Sequence, residues 1–197
     1  MTDCRVELLS LSESREAASE VAMIPAFADL NIFRVMLQRP KTAKALSDLL
    51  VSLLFGGELD DRLRELLIMR IGWSTGSNYE WTQHWKIALE QFGCSEQDLL
   101  ELRGEWQQSD HYSDTDRVLL RAVDTLLAEG TLSKELTEEC MEQFGPNATI
   151  ELVAAVGCWQ MVSKLARTLE IPLEEGIASW PPDGVPPRTD PGAGAPA

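Results

Sequence analysis

In the stretch KTAKALSDLLVSLLF the apolar side chains return every three or four positions, which gathers them on one face of a helix. The same period dominates the whole chain, and no stretch alternates apolar with polar residues as a half-buried strand would. Punctuating residues divide the pattern into elements. Pro25 is followed by AFADLNIFRVMLQR, which predicts a helix ending before Pro40. The KTAKALSDLLVSLLF helix stops at Gly56–Gly57. Asp60 is placed to cap DRLRELLIMRIGW, which ends near Gly76. Ser77 with Glu80, Ser95 with Asp98, and Ser113 with Asp116 have the spacing of capping boxes and mark three further helix starts. Ser133 offers an N-cap with Glu135 in the first turn. A last long helix is predicted from about Asn147 to Leu169, and Pro172 prevents its extension.

These elements make one all-α, single-domain helical bundle of about eight helices over residues 25–179, behind an N-terminal segment, 1–24. From Trp180 the chain reads PPDGVPPRTDPGAGAPA. It has little to bury there, so residues 180–197 are expected to be a disordered tail. A length of 197 residues suits a single domain with a sizeable core.

Composition narrows the function classes. The formal net charge of -15 argues against nucleic acid and against anionic membrane surfaces as partners. An anionic small molecule would be repelled at long range and would need a local positive pocket. No apolar run approaches the roughly 20 residues of a membrane helix, and MTDCRVELLS lacks the pattern of a signal peptide. The cytoplasm is the default compartment. The four cysteines, Cys4, Cys94, Cys140 and Cys158, form no C-x-x-C, and only His84 and His111 are available beside them. Free thiols are expected rather than a zinc site or another metal centre.

The segment from Arg64 to His84, RELLIMRIGWSTGSNYEWTQH, carries the candidate chemistry. Glu80 and His84 are one helical turn apart on one face, within hydrogen-bonding reach. A carboxylate beside an imidazole fixes its tautomer and raises its pKa, as a general acid–base pair requires. If the two helices pack antiparallel, Glu65 approaches the same ring. Arg70 and Lys86 are candidates to hold a substrate carboxylate. Trp81 and Trp85 are candidates for an apolar wall around a small-molecule substrate.

This segment resembles the signature of the carboxymuconolactone decarboxylase and alkylhydroperoxidase D-like family. Redox members carry a glutamate, a C-x-x-C pair and a histidine. The pattern falls here on Glu65, Ser77, Glu80 and His84, so the cysteine pair is missing. RELLIMRIGW, YEWTQH and IELVAAVGCWQMVSKLARTLEIPLEE also resemble the family, in its cysteine-free branch, and the likeness runs from about Pro25 to Glu175. It implies an alkylhydroperoxidase D-like bundle and a homo-oligomer, a trimer or hexamer. It also implies a decarboxylase-like lyase that needs no cofactor, with His84, Glu80 and Glu65 as its catalytic residues. The substrate would be a small carboxylated lactone or keto acid. The alternatives are an antioxidant protein, disfavoured because serine and glutamate cannot act as a thiol pair, and a non-catalytic member that binds a small ligand or partner.

Each residue also has a structural role open to it. Glu80 completes a capping box with Ser77 on paper, and Glu65 suits the positive end of its helix. His84 can be a satisfied core histidine, and Arg70 a salt-bridge partner. Trp73, Trp81, Trp85 and Trp159 can be core or interface anchors. His111 is expected on a surface loop.

Overall fold

The computed structural model describes residues 4–188. Eight α-helices and two short 3-10 turns, with no strand among the described residues, make up the fold. The helices are α1 (Leu11–Glu20), α2 (Asn31–Met36), α3 (Pro40–Phe55), α4 (Asp61–Thr75), α5 (Asn78–Glu90), α6 (Glu96–Glu101), α7 (Asp114–Glu129) and α8 (Lys134–Thr168). No helix among the described residues is long and apolar enough to cross a membrane.

The central element is α4, which packs against α5, α7 and α8. Leu66, Leu67, Ile68, Met69 and Ile71 are completely buried. A helix apolar on nearly all sides belongs in the middle of a bundle. Its ends follow the sequence: the Asp60 side chain accepts from the amides of Arg62 and Leu63, and Gly76 closes the helix in the left-handed region at φ 67°. Gly72 lets α5 come close, since a Cβ there would lie 3.0 Å from the Trp81 backbone nitrogen. That approach brings Glu65 on α4 up to His84 on α5.

Two expectations need correction. The helix predicted from Pro25 towards Pro40 is a 3-10 turn, Pro25–Asp29, followed by extended Leu30 and then α2. Long-range partners override the local pattern here. The Asn31 amide donates to Glu174 at 2.8 Å and its side-chain amide to the carbonyls of Pro172 and Leu173. The helix expected to start at Ser133 and the last helix expected from about Asn147 are both present, run together as α8 across a break in helical geometry at Gly145 (φ 81°, ψ 167°) before Pro146. Finally, the expected tail packs on the body as far as Arg188. The Trp81 indole donates to the Pro181 carbonyl at 2.8 Å, Trp180 meets Trp73 edge-on, and Arg103 reaches Asp183 and the Val185 carbonyl. A buried indole needs an acceptor, and the tail supplies one. The rest of the expected tail, 189–197, lies outside the described residues.

Candidate active site

Ser95 and Ser113 cap α6 and α7 in complete boxes with Asp98 and Asp116. Ser77 and Glu80 share that spacing, yet the Ser77 side chain makes no cap hydrogen bond. Glu80 instead turns inward, buried, with Oε2 3.9 Å from His84 Nε2. The capping role open to Glu80 is therefore not the one it fills.

His84 sits between two carboxylates. Its Nδ1 lies 2.9 Å from Oε2 of Glu65, a side chain with no solvent exposure. The antiparallel approach expected from the sequence is thus present. A carboxylate can only accept, so Nδ1 carries the proton and Nε2 is the titrating nitrogen. In the neutral ring that Nε2 accepts from the Trp159 indole on α8 at 3.4 Å. The second Glu65 oxygen has no hydrogen-bond partner and faces the Arg64 Nε at 3.7 Å. Trp159 is a site neighbour that the sequence does not reveal, because no spacing rule links α8 to α5.

Burial pushes the Glu80 carboxyl up to about 7, against the pull of the His84 charge and with help from that of Glu65. Burial works the other way on His84, disfavouring the imidazolium. The Glu65 carboxylate, through its charge and its hydrogen bond, and the Glu80 charge outweigh this, and the His84 pKa is raised. Both shifts keep protons in the cluster near neutrality.

A stability prediction follows. Between the ordinary glutamate value of 4.5 and about 7, folded Glu80 keeps a proton that the unfolded chain has lost. Stability therefore falls as pH rises through that window. His84 acts in the same sense, since its contribution is lost as pH rises through its raised pKa. Glu80→Gln should flatten the fall between pH 5 and pH 8 by roughly 2–3 kcal/mol. Urea melts at the two pH values measure this, and an unchanged difference would show that Glu80 is not held protonated by the fold.

The remaining candidates lie elsewhere. Arg70 is five residues on from Glu65, about 140° around the helix. It is committed to Asp124 through two hydrogen bonds, at 2.7 and 2.9 Å, and to the Leu102 carbonyl. It is not free to clamp a substrate carboxylate. Lys86 is exposed and pairs with Glu90. Trp81 is fully buried against Trp73 and Trp85, so Trp81 is a core anchor and not a cavity wall. Trp85 is also buried, one position beyond His84. The expected surface histidine, His111, is half-buried and meets Asp98 at 2.9 Å. The clefts beside the α4–α5 turn are not lined by Glu65, Glu80 or His84.

All four cysteines are unpaired thiols. Burial pushes Cys94 and Cys158 up to about 12, and Cys94 is occupied with the Arg62 carbonyl. Neither resembles a reactive thiolate.

Comparison with known proteins bears on the fold. Residues 40–125 match the model of the carboxymuconolactone decarboxylase family. Several solved structures share the fold. A candidate AhpD antioxidant defence protein of unknown function from Agrobacterium tumefaciens is 22% identical with a TM-score of 0.63, covering 69% of this chain and 92% of that one. The apo form of the debrominase Bmp8 is 18% identical with a TM-score of 0.63, covering 84% and 86%. An uncharacterised peroxidase-related protein from Ralstonia eutropha, described as an alkylhydroperoxidase AhpD core, is 14% identical with a TM-score of 0.67, covering 89% and 94%. At such identities the likeness is one of fold. No curated protein matches the sequence. A stretch of the chain, residues 40–125, thus resembles the carboxymuconolactone decarboxylase family, and the chain has the alkylhydroperoxidase D-like fold.

Proposed function

We propose that this protein is a decarboxylase-like lyase acting by acid–base catalysis on a small carboxylated lactone or keto acid. The observation that carries the proposal is the buried Glu65–His84 hydrogen bond of 2.9 Å, with Glu80 facing the other ring nitrogen. Breaking the bond to the carboxylate releases CO2 and leaves the electron pair in an enolate. His84, protonated at Nε2, gives its proton to the carbon that lost CO2. Glu65 holds the ring in the required tautomer, and Glu80, itself partly protonated near neutrality, returns a proton to Nε2. The scheme calls for no metal or organic cofactor. Its test is CO2 release from a panel of β-keto acids and carboxylated lactones by the protein alone. Release above the uncatalysed rate supports it, and silence across the panel counts against it.

The burial of Glu65, Glu80 and Trp159 around His84 supports a second reading, a non-catalytic member of the fold whose small ligand or partner binds elsewhere. An antioxidant role like that given to the Agrobacterium protein is disfavoured, because Ser77 and Glu80 occupy the two positions of the redox cysteines. Peroxide reduction with a dithiol as electron donor should be absent.

We also propose that the protein self-associates in the cytoplasm, where free thiols persist. Phe55 on α3 is 69% exposed and Ile150 on α8 is 68% exposed, with exposed Leu49, Val153 and Met161 on the same two helices. Apolar surface of this kind favours a partner. Ile150→Glu should lower the molar mass seen by light scattering to that of one chain without changing the fold. A single-chain mass for the unmodified protein would contradict self-association.

A further inference from the structure

A cleft of about 550 Å³ opens between the α4–α5 turn, α8 and the Pro187–Arg188 segment. That volume suits a small molecule. Its ionisable side chains are Lys164, Arg167 and Arg188, all cationic, in a chain of net charge -15. None of the three has an ion-pair partner among the described residues. The neighbouring cleft differs: its Arg70 and Arg103 are spent on Asp124 and Asp183. Lys164 and Arg167 lie three residues apart on α8 and so share one face.

A second feature lies at the same cleft. Ser163 lines the cleft, is 1% exposed, and its hydroxyl has no hydrogen-bond partner. A helical hydroxyl usually bonds back to the carbonyl one turn earlier. Thr75 and Thr149 do so here, each at 2.7 Å. Leaving a buried hydroxyl unpaired is costly, so such a group calls for an explanation. Ser77, next to Gly76 of the cleft wall, is equally buried and unpartnered. Ser163 stands one turn beyond Trp159 on α8, and the α4–α5 turn of the cleft wall leads into the helix that carries Glu80 and His84.

We infer that this cleft binds a small organic anion, its carboxylate or phosphate group held by Lys164 and Arg167 with the Ser163 hydroxyl as a further donor, and its apolar part bounded by Trp73. These residues replace Arg70 and Lys86 as the local positive charge that an anionic ligand of this protein requires. Binding stands independently of the lyase proposal. Only the ligand's role as substrate rests on it.

Calorimetric titration of the full chain tests the inference, with benzoate, phenyl phosphate and benzyl alcohol as probes. At low salt at least one anion binds, and neutral benzyl alcohol binds at least about tenfold more weakly. Whichever anion binds more tightly identifies the preferred headgroup. The double variant Lys164→Gln/Arg167→Gln, altered only at exposed positions, weakens anion binding by about tenfold or more. Lys86→Gln leaves it unchanged. Failure of both anions to bind overturns the inference, and so does full binding by the double variant. Anion binding through Lys164 and Arg167 without any CO2 release would sink the lyase proposal and leave the cleft assignment intact. CO2 release with unaltered KM in a double variant that binds anions as the unmodified protein does would do the reverse.

Discussion

Arg62→Ala is expected to destabilise the fold by about 3 kcal/mol, lowering Tm by roughly 6–12 °C. Arg62 stands in the first turn of α4 and reaches two helix starts at once. It contacts both oxygens of Asp98 and donates to Asp116 Oδ1 at 2.7 Å. Both aspartates are almost fully buried and each is the acidic member of a capping box. Removing the guanidinium leaves two carboxylates facing each other with only the serine caps and His111 to hold them. The expected loss sits at the low end for a broken buried pair, because Arg62 retains 30% of its side-chain exposure. Arg62→Lys should recover only part of it, since an ammonium cannot fork to two carboxylates. The acid limb adds a signature. Asp98 is pulled down to about 2, with burial opposing and the hydrogen bonds from Arg62, Ser95 and His111 prevailing. Its stabilisation is present above the ordinary aspartate value of 3.8 and is lost as pH falls through about 2. Chemical melts at pH 7 and pH 3 should show this acid loss in the unmodified protein and a smaller one in Arg62→Ala. A Tm within a degree of the unmodified protein would contradict the account of Arg62.

The second large effect concerns chemistry. His84→Gln should lower CO2 release by about 10²–10⁴-fold, the usual range for a general acid–base residue. Glutamine suits the test better than alanine, because its amide can still donate to the buried Glu65 carboxylate. Alanine would strand that charge and confound turnover with folding. Glu80→Gln should cost less, because in the proposed scheme Glu80 returns protons and does not deliver them to substrate. It should also change the pH dependence of kcat, removing a limb near 7. If His84→Gln folds normally and retains full turnover on an identified substrate, His84 is not the acid.

Much of this architecture is legible in the sequence, and the exceptions have physical causes. Asp60, Gly76, Ser95 and Ser113 act where the local pattern puts them, since caps depend on residues a few positions apart. Ser10 with Glu13 follows the same rule and forms a complete box at the start of α1; it was open to the same recognition. The Ser77–Glu80 pair fails because the Glu80 carboxyl turns inward toward the His84 imidazole, one helical turn on, and away from the helix start. The Glu65–His84 contact could be anticipated only from the antiparallel packing of α4 and α5 and from the family pattern. Trp159, Ser163 and the cationic cleft come from α8, and nothing local in α8 announces what it faces. Trp180 is the one residue that signals the packed tail segment, as a large indole in an otherwise polar and proline-rich stretch.

In the proposed mechanism two buried carboxylates keep a transferable proton on His84 near neutrality. NMR titration of the His84 ring nitrogens and the Glu80 carboxyl carbon measures this directly and requires no substrate. His84 should titrate above its ordinary value of 6.5, with Nε2 as the nitrogen that gains and loses the proton, and Glu80 should titrate near 7. In Glu65→Gln the His84 pKa should fall. A His84 that titrates below 6.5 beside a Glu80 that ionises near 4.5 would contradict the account.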